Sequence, residues 1–157
     1  MELFILRHGQ AESYAASDSQ RALTPHGVRE VESVLSQRKS SLANIKKIFV
    51  SPYVRAQQTA DIVQNHFPGV LRIDTDLLVP SNQITSLLEM LQQEVEHDPD
   101  GSVLLVSHQP LVNILLDSLC GLARGKYSMT TAALASIKVE VFARDCCEFN
   151  WLQQAEV

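Results

Sequence analysis

Three stretches of this chain run apolar and then stop abruptly on charged or polar residues. Leu3-Phe4-Ile5-Leu6 ends in Arg7-His8-Gly9, Ile48-Phe49-Val50 ends in Ser51-Pro52-Tyr53-Val54-Arg55, and Val103-Leu104-Leu105-Val106 ends in Ser107-His108-Gln109-Pro110. Each is short, continuous and β-compatible, the pattern of a strand covered on both faces. The first strand is predicted over Glu2 to Arg7 and the second over Lys46 to Val50, with a weaker strand at Leu71 to Ile73. Leu134 to Phe142 alternates as a half-exposed strand, and Arg144-Asp145 turns it into a last strand at Glu148 to Leu152.

Helical periodicity fills the intervals. Gly9 to Leu23 has no period and reads as a loop. Thr24-Pro25 is a hydroxyl cap followed by proline, with Val28, Val31 and Leu35 as the inner face. Ser51-Pro52 repeats that device and opens a helix to about His66, which Pro68-Gly69 breaks. Ser81 is the predicted cap of a helix whose Ile84, Leu87, Leu88, Leu91 and Val95 share one face. Asp98 to Gly101 forms a turn, and Pro110 starts a helix ending near Gly121. Alternating strands and helices predict an α/β three-layer sandwich: a mostly parallel sheet, helices on both faces, and an antiparallel hairpin at the C-terminal edge. The 157 residues suit one domain spanning 1–157.

Composition narrows the function. A net charge of −5 argues against a general nucleic-acid binder. No apolar run reaches the roughly 20 residues of a membrane span, and Leu3 to Leu6 is far too short for a secretory core. Cys120, Cys146 and Cys147 are an odd set with two adjacent, a poor disulfide framework, so the expected location is the cytoplasm. No role is assigned to Cys146 and Cys147.

Against that acidic background the three strand ends stand out. In an open α/β sheet ligands sit at the carboxyl ends of the strands, so Arg7, His8, Arg55 and His108 are expected to meet at one edge. Helix starts at Pro52 and Pro110 would aim backbone N–H groups there. Guanidinium groups bind phosphate in two-pronged fashion, so an anion site, best a phosphate site, is predicted.

The same residues resemble a known family. Arg7-His8-Gly9 is similar to the Arg-His-Gly motif of the histidine phosphatase superfamily, which includes phosphoglycerate mutases. Ser51 to Ala60 resembles its Ser-Pro-x-x-Arg-Ala-x-x-Thr-Ala segment, Ser107 to Pro110 its second-histidine segment, and Leu23 to Gly27 its Leu-Thr-x-x-Gly segment. The short length and the run Leu105-Val106-Ser107-His108-Gln109-Pro110 look most like the SixA-type protein phosphohistidine phosphatases. The resemblance implies that His8 attacks phosphorus and becomes phosphohistidine. It implies that Arg7 and Arg55 hold the phosphoryl oxygens, that His108 stabilises the transferred group, and that Arg21 is a further contact. It implies no cofactor and no metal, and the five histidines lack ligand-like spacing.

Two departures bear on substrate. Where many superfamily members carry an asparagine six residues after the nucleophilic histidine, this chain has Tyr14. The segment Asp74 to Gln83 lacks the glutamate that serves as general acid, and Asp76 is the candidate substitute. The leading expectation is therefore a metal-independent phosphohistidine phosphatase. It would act as a monomer on a phosphorylated histidine-containing phosphotransfer or phosphocarrier protein. The alternatives are a phosphomonoesterase or mutase for a small metabolite, with Asp76 as acid, and a non-catalytic phosphate-binding module.

Overall fold

The computed structural model describes residues 1–157. Six strands form one sheet: β1 (Glu2–Arg7), β2 (Lys47–Val50), β3 (Leu71–Asp74), β4 (Ser102–Ser107), β5 (Leu134–Val139) and β6 (Cys147–Gln153), in the order β3-β2-β4-β1-β5-β6. The first four run parallel, and β5 and β6 form the antiparallel C-terminal edge. The α/β three-layer arrangement read from the sequence is the one observed.

Side-chain alternation along the strands builds the two outer layers. Phe4 and Leu6 of β1, Ile48 and Val50 of β2, and Leu104 and Val106 of β4 pack on one face. There they meet α1 (Pro25–Gln37), the short α2 (Lys39–Leu42) and α3 (Val54–His66) through Val31, Leu35, Leu42, Ala60 and Val63. Leu3, Ile5, Phe49, Val103 and Leu105 point the other way, against α4 (Thr85–His97) and α5 (Leu111–Cys120) through Leu87, Leu91, Leu115 and Leu119. Gly121, left-handed at φ 62°, closes α5 where the sequence places its end. No helix is long and apolar enough to cross a membrane.

Five local expectations change. α3 begins at Val54, with Tyr53 at its cap position and no side-chain cap bond, so Ser51 is not a helix cap. α5 likewise begins one residue after Pro110. Ser81 bonds the Gln83 N–H at 3.0 Å, but α4 starts only at Thr85 and has no side-chain cap. On α1 the buried set is Gly27, Glu30, Val31, Val34 and Leu35, a complete helical stripe, while Val28 falls outside it and is exposed. β5 is buried at every position except Lys138, because β1 and β6 flank it and both faces are covered. The half-exposed strand is the edge strand β6, where the Arg38 guanidinium lies 3.9 Å from the Trp151 ring centroid.

Thr24 does cap α1, accepting the Gly27 N–H at 2.9 Å. This brings the first turn of α1 against the chain leaving β1. A Cβ on Gly9 would sit 2.5 Å from the Gly27 carbonyl oxygen, and one on Gly27 would strike the Gln10 backbone. The glycines let two backbones touch. Gly27→Ala is expected to destabilise the fold by about 1–3 kcal/mol through overpacking, despite alanine's better helix propensity, and to weaken anion binding at the adjacent loop. Urea unfolding and tungstate titration of the variant measure the two effects.

Candidate active site

The strand register delivers the site. Arg7 pairs with Ser107 across β1 and β4, and Val50 pairs with Val106 across β2 and β4. His8 and His108 therefore leave the sheet side by side, and Ser51 leaves it one residue earlier, level with Arg7 and Ser107. Arg7, His8, Arg21, Arg55 and His108 all line one cavity of about 430 Å³, with Gln10, Asp18 and Gln109 among its other walls. All five residues singled out in the sequence come together.

His8 is buried, and its ring is fixed at both nitrogens. Nδ1 lies 2.6 Å from the Gly9 carbonyl oxygen. A carbonyl can only accept, so Nδ1 carries the proton and Nε2 holds a bare lone pair. Arg55 Nε donates to that lone pair at 3.3 Å. Burial pushes the His8 pKa down to about 4; the Gly9 contact opposes this, and the charges of Arg55 and Arg7 add to it. At neutral pH His8 is an uncharged imidazole with its lone pair toward the guanidinium.

The cationic wall is held by backbone and by one carboxylate. Arg7 Nη1 donates to the Met129 carbonyl at 3.0 Å, while its buried Nε has no partner. Arg55 donates to the Asp18 carbonyl at 2.7 Å and pairs with the Asp18 carboxylate at 3.2 Å. Arg21 Nε contacts the other Asp18 oxygen at 2.9 Å, and Arg21 also reaches the Glu12 carbonyl at 3.1 Å. Burial acts to raise the Asp18 pKa, but the Arg21 hydrogen bond and the Arg55 charge prevail, so its carboxyl sits below the ordinary range. Behind the loop, buried Glu30 accepts from the Gln10 N–H at 2.8 Å and from the Thr131 hydroxyl at 2.8 Å. Thr59 accepts the Gly9 N–H at 3.3 Å and donates to the Arg55 carbonyl at 2.8 Å, tying the two cationic segments together.

His108 is buried with its ring centroid 5.0 Å from that of His8. Its Nε2 lies 2.7 Å from Ser51 Oγ, and its Nδ1 has no partner. Burial, then His8 and Arg55, push its pKa down to about 2. No group of three or more His, Cys, Asp or Glu side chains is arranged to hold a metal ion. The arrangement offers a neutral nitrogen nucleophile, an adjoining neutral imidazole and three guanidinium groups, which is chemistry suited to receiving a phosphoryl group.

The profile of the Histidine phosphatase superfamily (branch 1) matches residues 3–78. The Escherichia coli (strain K12) protein named Phosphohistidine phosphatase SixA is 33% identical over 153 residues, covering 96% of this chain and 92% of that protein. The chain belongs to the histidine phosphatase superfamily. A SixA homolog from Haemophilus influenzae is 34% identical over 145 residues, 87% of each chain. The solved structure of protein histidine phosphatase SixA complexed with tungstate superposes with a TM-score of 0.85 at 31% identity, covering 98% of this chain and 97% of that one.

For a member of this superfamily the structure adds three residues the sequence did not single out for the site. Asp18 bridges Arg21 and Arg55 but sits in a loop without periodicity. Glu30 sits on a helix whose stripe looks complete without it. Ser51 carries, with Pro52, the local signature of a helix cap. Only the Asp18-to-Arg21 spacing was visible, and it does not reach Arg55 without tertiary structure. Asp76, the candidate acid, lines a different cavity of about 200 Å³ with Leu77, Val79 and Ser81.

Both depressed histidines tie stability to pH. Unfolded imidazoles bind protons below about 6.5, whereas folded His8 resists protonation to about 4 and His108 to about 2. Between these limits the unfolded state holds more protons, so stability falls as pH falls from about 6.5. Urea midpoints measured against pH should show this acidic loss, and His8→Asn and His108→Asn should each flatten it. An unchanged slope in both variants contradicts the burial of neutral rings.

Proposed function

We propose that this chain is a phosphohistidine phosphatase that works through a covalent phospho-His8 intermediate. The observation that carries the reading is His8 itself: a neutral ring, protonated at Nδ1 by the Gly9 contact, with its Nε2 lone pair facing Arg55. His8 Nε2 forms a bond to phosphorus as the bond to the substrate imidazole nitrogen breaks. The substrate ring, protonated from solvent at its other nitrogen, departs with that electron pair as a neutral imidazole. Water then attacks phosphorus, the bond to His8 Nε2 breaks, and inorganic phosphate leaves. Arg7 and Arg55, with Arg21 as a third contact, hold the phosphoryl oxygens; Arg55 gives up both His8 Nε2 and Asp18 for them. His108 stabilises the charge of the group in flight. Transfer of this kind depends on positioning and charge more than on bond-making by the protein, and each charge-assisted contact contributes about 1.5–3 kcal/mol.

The substrate class follows from the acid the cavity lacks. Expelling an alkoxide from a phosphoserine or sugar phosphate benefits by about 10²–10⁴-fold from a positioned acid. Asp18 is the carboxylate lining this cavity, and Arg21 and Arg55 keep it ionised. Asp76 lies in another cavity. An imidazole ring, protonated from solvent at its other nitrogen with a pKa near ~6.5, leaves neutral and needs no such donor. The exposed loop beside the cavity, residues 12–18, leaves room for a histidine presented on a protein surface. The E. coli and H. influenzae relatives carry the phosphohistidine phosphatase SixA name, which supports the same substrate class. We assign as substrate a phosphorylated histidine-containing phosphotransfer or phosphocarrier protein in the cytoplasm, with residues 1–157 acting as one monomeric domain and without a metal.

Purified protein should dephosphorylate a phosphohistidine protein with a kcat/KM at least ~10²-fold above that for phosphoserine, phosphotyrosine or a sugar phosphate. His8→Ala should abolish turnover, and brief incubation of wild type with labelled donor should give an acid-labile, base-stable phosphoenzyme. EDTA and Asp76→Asn should leave the rate unchanged. Comparable turnover of a sugar phosphate, lost in Asp76→Asn, would establish the phosphomonoesterase reading instead.

A further inference from the structure

Ser51 stands at the end of β2, fully buried, where a helix-capping serine is expected and no cap exists. Its backbone is held by Gln57, whose amide donates to the Ser51 carbonyl at 2.9 Å. Its hydroxyl oxygen accepts the Tyr53 N–H at 3.3 Å and lies 2.7 Å from His108 Nε2. These are the two hydrogen-bonding contacts of that hydroxyl, and the first uses it only as an acceptor.

The proton between Ser51 and His108 can be placed in two ways. If Nε2 carries it and donates, the buried Ser51 O–H has no acceptor and the His108 Nδ1 lone pair has no donor. If Ser51 donates, the hydroxyl is satisfied, Nε2 is satisfied, and the one unpaired group is an Nδ1–H. Each unsatisfied buried group costs on the order of 1–3 kcal/mol, so the second arrangement prevails.

We infer that Ser51 is a positioning residue: by donating to Nε2 it locks His108 as the Nδ1–H tautomer and makes it a hydrogen-bond donor toward a phosphoryl oxygen. The ring does not evade the choice by charging, since burial keeps it neutral. His8 and His108 then share one tautomer and do opposite work. The His8 Nε2 lone pair meets only the long 3.3 Å contact from Arg55 Nε, which yields to phosphorus. His108 has its Nε2 lone pair consumed by Ser51 and retains an N–H whose pairing no protein group provides. The other tautomer would set a bare lone pair against an oxyanion. The functional half of this inference rests on the phosphoryl-transfer reading above; the tautomer half does not.

Nitrogen-15 NMR of histidine-labelled full-length protein, with His108→Asn for assignment, decides it. At neutral pH His108 should show a protonated Nδ1 and a bare, hydrogen-bonded Nε2. In Ser51→Ala the ring should shift toward the Nε2–H form, and the dissociation constant for tungstate should rise about 10-fold, the size of one lost hydrogen bond. Ser51→Thr, which keeps the hydroxyl, should return both readouts toward wild type. A wild-type ring protonated at Nε2 overturns the inference, as does a Ser51→Ala variant with unchanged tautomer and tungstate affinity. Should Ser51→Ala fail to fold, the wild-type spectrum still decides. Absence of phosphohistidine turnover alongside an Nδ1–H ring and intact tungstate binding would fault the substrate reading and leave the tautomer lock standing.

Discussion

The parallel pairing of β1 with β4, and of β4 with β2, sets the level at which everything else happens. Arg7 lies opposite Ser107 and Val50 opposite Val106, so β1 and β4 release their next residues at one height and β2 releases Ser51 one residue earlier. A slip of one residue would turn the alternating side chains of a strand to the opposite face. The register is secured by cores on both sides: Leu3, Ile5 and Leu105 belong to one, and Phe4, Leu6 and Leu104 to the other. The same apolar alternation that stabilises the sheet thus places two imidazoles with ring centroids 5.0 Å apart.

Burial then determines what those imidazoles are. A histidine among arginines in water would titrate near its ordinary value; within the folded chain both rings are driven neutral at neutral pH. Loss of solvation is the larger cause, and the arginine charges reinforce it. Neutrality removes charge repulsion between the rings and the guanidiniums and leaves lone pairs available. Hydrogen bonds decide which nitrogen has one: the Gly9 carbonyl for His8, the Ser51 hydroxyl for His108. Few protein atoms control the chemistry, and they are main-chain or small polar groups with little freedom to move.

Asp18 plays a different part. It is well exposed, yet it binds two of the three guanidinium groups that an oxyanion would use. A carboxylate there keeps Arg21 and Arg55 aligned in the free protein. It is held ionised by the same arginines, which removes it as a proton donor for difficult leaving groups. Its position on the loop after β1 also fills space beside the cavity mouth, where Gln10 is exposed and Gln109 partly so.

Much was legible from local pattern alone. Strands with continuous apolar runs, helices with a 3.6-residue stripe, and arginine or histidine directly after a strand all announce themselves within a few residues, because their signals are local. The α/β architecture, the C-terminal antiparallel edge and the meeting of Arg7, His8, Arg21, Arg55 and His108 came from such signals and from the motifs that carry the family resemblance. What stayed hidden depended on partners distant in the chain. Leu134 to Val139 alternates in sequence like a half-exposed strand, and its burial at every position but Lys138 followed from β6 pairing outside it. Gly9 is in sequence only the start of a loop, but the backbone its missing side chain admits is that of Gly27. Ser51 looked like a cap until His108, 57 residues away, took its hydroxyl, and Asp18 looked like a loop charge until Arg55, 37 residues on, met it. Periodicity and motif record what a residue does for its own helix or strand; the pairing of a buried polar atom is settled only when the folded chain decides which donors and acceptors lie within 3 Å or so of one another.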